Sequence, residues 1–160
     1  MIKIINSIDV TQLLSAYDSF KDNIKWVDYG KCKQASLQYK TNENPYISGL
    51  GKGDGTDLEY VNLNENYKNT FFENLIIQYN LKRTRFMMVE PWSCYSIHAD
   101  TTPRIHIPII TNSECYFLFK NGHLEHLPVG QVYLVDTTKE HTFINCSNRQ
   151  RLHLMGSVES

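Results

Sequence analysis

The chain has 160 residues, 41% of them hydrophobic, and a formal net charge of −1. That length predicts one domain over residues 1–160, large enough to bury a core without staples, and the apolar share excludes wholesale disorder. There is no basic excess to hold a nucleic-acid backbone and no apolar run long enough for a membrane span, so neither partner is expected.

In chain order, Ser7 or Asp9 can cap a helix over residues 9–21, with Leu13, Leu14, Tyr17 and Phe20 on one face. Short strands follow over 26–29 and 35–40. Residues 41–58 read as a loop with glycines at positions 49, 51, 53 and 55. It lacks the Gly-Lys-Ser/Thr ending of a phosphate-cradling loop, and a mobile loop beside a functional site is the better expectation. A second helix is predicted over 66–80, where Tyr67, Phe71 and Leu75 recur at helical spacing and read as core packing.

From residue 84 the period changes. Apolar segments at 84–90, 104–110, 115–120, 131–136, 141–145 and 150–156 alternate with turn-rich stretches, the spacing of an antiparallel sandwich or small barrel. The expected fold is mainly β with flanking helices: residues 1–80 support a C-terminal jelly roll over 84–158. The four cysteines, Cys32, Cys94, Cys115 and Cys146, form no Cys-x-x-Cys pair. They read as reduced thiols, and with no signal-peptide pattern at the N-terminus a cytoplasmic protein is expected.

All six histidines lie in the β-rich half. His98 and Asp100 share a face in an extended segment, because side chains two apart in a strand point the same way. His141 comes 41 residues after Asp100, several strands later, so an antiparallel fold can return it to the pair. Two histidines and a carboxylate form the facial ligand set of non-haem Fe(II) oxygenases, with coordination positions left open. The alternative for His98 and Asp100 is a hydrogen-bonded loop pair. Arg151 follows His141 by ten residues, across a polar turn at Cys146–Asn148. A hairpin is expected there, with Arg151 on the strand next to that of His141 and sharing a face with His153 and Met155. An inward arginine needs an anion, and its planar fork suits a carboxylate; otherwise it lies at the surface or pairs with Asp136 or Glu140. In Arg104–Ile109, Arg104 and His106 have opposite parity to Ile105, Ile107 and Ile109. They face either the metal or solvent. His123 and His126 are assigned to an exposed hairpin.

Residues 85–158 resemble the aspartyl/asparaginyl β-hydroxylase family of 2-oxoglutarate oxygenases. The resemblance rests on HADTTPRIHIPIITN at 98–112, NGHLEHLPVGQVYLVD at 121–136 and HTFINCSNRQRLHL at 141–154. It implies a cupin-like double-stranded β-helix and Fe(II) ligation by His98, Asp100 and His141. It further implies a 2-oxoglutarate carboxylate held by Arg151 with help from Arg104 and His106. The implied reaction uses O2 to hydroxylate an unactivated C–H bond of an amino acid, free or in a peptide or protein. The family motif also covers Pro128, Gly130 and Asn145. The segment before the metal pair departs from the family's Pro-Gly, since Trp92 follows Pro91; Trp92 and Tyr95 are candidates for shaping a substrate pocket. Rival expectations are another metal-dependent cupin, such as an isomerase or a 2-oxoglutarate-independent dioxygenase, and a non-catalytic 2-oxoglutarate-binding module.

Overall fold

The computed structural model describes residues 1–159. Its elements in chain order are β1 (Ile2–Ser7), α1 (Val10–Phe20), β2 (Val27–Asp28), β3 (Cys32–Ser36), β4 (Gln38–Tyr39), β5 (Asn62–Leu63), α2 (Phe71–Gln78), β6 (Lys82–Val89), β7 (Ser93–Cys94), β8 (Arg104–Ile110), β9 (Cys115–Phe119), β10 (Leu124–Glu125), β11 (Gln131–Val135), β12 (His141–Asn145) and β13 (Arg151–Ser157). They build a seven-stranded sheet in the order β1-β11-β8-β13-β6-β3-β2, a four-stranded sheet in the order β10-β9-β12-β7, and a β4-β5 ribbon. All the strand pairs are antiparallel. This is the expected β-rich jelly roll with flanking helices. No helix among the described residues is long and apolar enough to cross a membrane.

Strand alternation gives the large sheet two different faces. Phe86, Met88, Ile105, Ile107, Leu152 and Leu154 lie on one, where Leu13 and Tyr17 of α1 and Phe72 and Leu75 of α2 close the main core. Residues of opposite parity, Arg85, Arg104, His106, Arg151 and His153, are buried as well. They face the small sheet, whose Phe117, Phe119 and Phe143 head a second cluster. His106 lies 5.6 Å from Phe117 and 5.4 Å from Phe143 between ring centroids. Arg104 and His106 therefore point inward, not to solvent.

Several boundaries differ from expectation. Asp9 is the cap of α1, accepting from the Gln12 N–H at 2.8 Å. The helix expected over 66–80 is a 3-10 turn at Glu65–Tyr67 followed by α2. Asn69 takes φ +57° between them, and the Thr70 hydroxyl caps α2. The strand expected over 35–40 begins at Cys32 and splits into β3 and β4. β1 escapes an alternation test because it is a largely exposed edge strand. The expected hairpin between the strands of His141 and Arg151 does not form. β12 pairs with β9 and β7, whereas β13 pairs with β6 and β8, so the turn carries the chain from one sheet to the other. Asn145 ties this crossover: its Nδ2 donates to the carbonyls of Glu90 at 3.1 Å and Arg149 at 2.7 Å, and its Oδ1 accepts from the Ser147 hydroxyl at 2.7 Å.

One extra residue in β6 bulges against β13, where Lys82 to Arg85 opposes Ser157 to Met155. Arg83 absorbs the bulge at φ +50°, a conformation that costs a non-glycine residue energy. The bulge aims Arg83 at the buried carboxylate of Asp57, 3.0 Å away, which also accepts from Arg104 at 3.2 Å and the Ser157 hydroxyl at 2.7 Å. Asp57 thereby fastens the long loop to the sheet. Replacing Asp57 by Asn leaves two buried guanidinium groups short of countercharge and should cost about 3–5 kcal/mol in urea unfolding; a loss under about 1 kcal/mol would deny Asp57 that role. A Cβ on Gly156 would lie 2.9 Å from both Leu81 Cβ and Thr84 Oγ1. Gly156→Ala should therefore destabilise by about 1–3 kcal/mol through overpacking, read from the same unfolding curves; an unchanged midpoint would refute the close approach.

Candidate active site

The segment carrying His98 and Asp100 is zipped against the start of β12. His98 and His141 exchange both backbone hydrogen bonds, at 3.0 and 2.8 Å, and Asp100 N–H donates to Thr137 O at 2.8 Å. The Thr137 hydroxyl donates to Thr102 O at 2.7 Å and extends the clamp. Residues distant in sequence thus meet through a short antiparallel bridge. One ligand atom each from His98, Asp100 and His141 lies within 4.8 Å of the others. His98 Nε2 is 4.0 Å from Asp100 Oδ1, and His141 Nε2 is 3.7 Å from Asp100 Oδ2.

The tautomers follow from the backbone. His98 Nδ1 lies 2.9 Å from Ser96 O, and His141 Nδ1 lies 2.8 Å from Lys139 O. A carbonyl oxygen only accepts, so each Nδ1 carries the proton and each Nε2 offers a lone pair to the cluster. Burial pushes the His141 pKa down and favours that neutral form. His141 Nε2 and Asp100 Oδ2 are buried without a hydrogen-bond partner. Arg104 Nη1 approaches Asp100 Oδ2 at 2.7 Å as an ion pair without hydrogen-bond alignment. Two imidazole Nε2 lone pairs and a carboxylate, with His141 Nε2 and Asp100 Oδ2 orphaned in the interior, are the donor set a first-row divalent metal requires, so the residues fit one.

Arg151 lies behind this cluster, on the inner face of the large sheet. Its guanidinium stacks 4.5 Å over the Phe143 ring, and Nη2 donates to His153 Nδ1 at 3.0 Å. Neither Asp136 nor Glu140 pairs with it. Burial pulls its pKa down to about 10, which leaves it cationic at neutral pH. A guanidinium only donates, so His153 Nδ1 accepts and the proton sits on Nε2, itself buried without a partner. His106 lacks a partner at both ring nitrogens. Burial first, and then the Arg151 charge, holds His106 and His153 well below the usual histidine range. One cation and two neutral imidazoles with unused hydrogen-bonding capacity therefore converge between the sheets.

A cavity of about 730 Å³ opens beside the cluster, with His98, Asp100, Arg104, Tyr95, Arg85 and Met87 on its wall. The glycine loop forms part of its rim. Gly49 O accepts from Arg83 Nε at 2.9 Å and Arg85 Nη1 at 2.7 Å, and Gly51 N–H donates to Gln34 Oε1 at 2.9 Å. The loop expected beside the site is there, pinned by two arginines. Tyr95 lines the cavity with its hydroxyl buried and unpartnered. Trp92 lies off that wall, 71% exposed on a turn at φ +54°. Arg83, Arg85 and Asp57 belong to the site region without having been expected there, whereas His153 shares the face of Arg151 as its spacing predicts. Burial offered no signal for the two arginines, because nearly every residue of Lys82–Val89 is buried and a bulge at Arg83 interrupts the alternation. His123 is exposed, as expected, whereas His126 is half-buried and bonds Cys115 O at 2.9 Å.

Solved structures share this architecture at low sequence identity. A protein described as an oxidoreductase of the 2OG-Fe(II) oxygenase family, from Burkholderia pseudomallei, aligns with a TM-score of 0.66 and 11% identity over 97% of this chain and 84% of its own. A protein named IDO from Bacillus thuringiensis aligns at 0.60 and 11%, over 98% and 92%. A prolyl-4-hydroxylase from Pseudomonas putida aligns at 0.54 and 10%, over 98% and 90%. These likenesses establish the fold. No curated protein matches the chain. The profile of the Aspartyl/Asparaginyl beta-hydroxylase family matches residues 66–160, a span that holds the ligand cluster, the glycine turn at 128–130 and the Asn145 crossover. By that match over more than half its length, the chain belongs to the aspartyl/asparaginyl β-hydroxylase family.

Proposed function

We propose that this protein is an Fe(II)- and 2-oxoglutarate-dependent oxygenase that hydroxylates an unactivated C–H bond of an amino acid, free or within a peptide. The observation that carries this reading is the convergence of three ligand groups, of which His141 Nε2 and Asp100 Oδ2 are buried without a hydrogen-bond partner, with a buried arginine that has no carboxylate partner among the described residues. His98, Asp100 and His141 hold the metal, and their Nδ1–H bonds to Ser96 and Lys139 fix the ring orientations. Arg104 orients the Asp100 carboxylate from 2.7 Å. Arg151, with His106 and His153 beside it, receives the far carboxylate of 2-oxoglutarate in a bidentate pair. Phe117, Phe119 and Phe143 pack around the His141 ring and exclude water from its side of the site. When bound, Fe(II) with 2-oxoglutarate and O2 supplies the oxidising chemistry, releasing succinate and CO2.

Purified protein given Fe(II) under air should form succinate from 2-oxoglutarate. His98→Ala should reduce this to the metal-free background. Arg151→Ala should raise the 2-oxoglutarate concentration for half-maximal rate about tenfold or more, the effect of losing a charge-assisted pair of about 1.5–3 kcal/mol. Succinate formation indifferent to metal or to His98 would defeat the assignment. Product formation from O2 without 2-oxoglutarate would favour a different metal cupin.

A further inference from the structure

Arg85 lies on the cavity wall, almost completely buried, with no acidic partner among the described residues. Its neighbours in type are paired: Arg83 with Asp57, and Arg104 with Asp57 and Asp100. Arg85 makes one side-chain hydrogen bond, from Nη1 to Gly49 O at 2.7 Å, and its Nε is buried and unsatisfied. A buried unpaired guanidinium is strongly disfavoured unless an anion visits it. Burial, followed by the nearby Arg104 and Arg83 charges, lowers its pKa below the usual arginine range.

The charges around the site do not balance. Four buried arginines, Arg83, Arg85, Arg104 and Arg151, face two carboxylates, Asp57 and Asp100. A divalent metal and the 2-oxoglutarate dianion would cancel one another and leave that excess in place. Lys31 and Lys52 line the same cavity, and no further acid does, so an approaching anion meets a positive field. The volume of about 730 Å³ is that of a small-molecule pocket, and Tyr95 adds an unpartnered hydroxyl to its wall.

We infer that Arg85 anchors a carboxylate of the prime substrate, so that the enzyme acts on an amino acid or residue that carries a free carboxylate. This rests on the oxygenase reading, in which Arg151 serves 2-oxoglutarate. Met87 and Met155 on the same wall offer apolar contact to the substrate's carbon chain. The carboxylate has two sources, the α-carboxylate of a free amino acid or the side chain of an acidic residue in a peptide.

The test is calorimetric titration of protein loaded with Mn(II) and 2-oxoglutarate, using each free L-amino acid, its carboxamide, and N-acetyl-aspartate methylamide. At least one carboxylate should bind about tenfold or more tightly than its amide, and Arg85→Met should lose that difference. Binding of the blocked aspartate would place the source in a side chain. Arg85→Met should keep its 2-oxoglutarate affinity within about twofold, whereas Arg151→Met should not. Its ligand-free melting temperature should equal or exceed that of the original protein, since a disfavoured charge is gone. Arg85→Lys, which keeps the charge and loses the fork, should fold and bind the carboxylate with intermediate affinity. The inference is overturned if amides bind as well as acids, if no carboxylate binds, if Arg85→Met weakens 2-oxoglutarate as Arg151→Met does, or if Arg85→Met melts lower with amino-acid affinity unchanged, which would make Arg85 only a pin for Gly49. Failure of 2-oxoglutarate to bind the original protein falls instead on the oxygenase reading and takes this inference with it.

Discussion

The central strands β6, β8 and β13 of the seven-stranded sheet are buried on both faces, yet the two faces meet different surroundings. Leu152 and Leu154 enter an apolar core beneath the helices, while Arg151 and His153, one position away, point into the space between the sheets. A slip of one residue in register would drive charged groups into the core and leucines into the site. Sheet pairing therefore serves stability and chemistry together. The bulge in β6 adjusts this arrangement locally by turning Arg83 toward Asp57.

The interior is polar at a cost that the fold meets in two ways. Asp57 gathers Arg83, Arg104 and Ser157, and this knot fixes the glycine loop at the rim of the cavity. Burial first raises its carboxyl pKa, but Arg83, Ser157 and Arg104 more than reverse this and hold it below the usual carboxylate range. Its contribution is thus fully present above the ordinary carboxylate pKa and is lost as pH falls through the depressed value. The remaining polar groups, among them His106, His141 Nε2 and Arg85 Nε, are left without protein partners. Unsatisfied groups clustered in one place mark where ligands complete the structure.

Sequence spacing made much of this visible. His98 and Asp100 share a face by simple alternation, and the Arg104–Ile109 segment declares its two faces by the parity of its isoleucines. What spacing could not supply was sheet membership. The ten residues from His141 to Arg151 look like a hairpin, because a polar turn separates two apolar segments; only the strand pairing shows that this turn crosses between sheets under the hold of Asn145. Arg85 was hidden for a related reason: in Lys82–Val89 nearly every residue is buried, so hydrophobicity does not distinguish its two faces. β1 was missed because an exposed edge strand carries no burial pattern.

The proposed chemistry requires that the three ligand groups and Arg151 form a single metal-dependent site for 2-oxoglutarate. Anaerobic titration with Fe(II) and then 2-oxoglutarate, followed by calorimetry and visible absorbance, addresses this without any prime substrate. The expected result is one Fe(II) bound per chain, tight 2-oxoglutarate binding only after metal addition, and a metal-to-ligand charge-transfer band that Asp100→Ala abolishes. Equal 2-oxoglutarate binding with and without metal, or no binding of Fe(II), would contradict it.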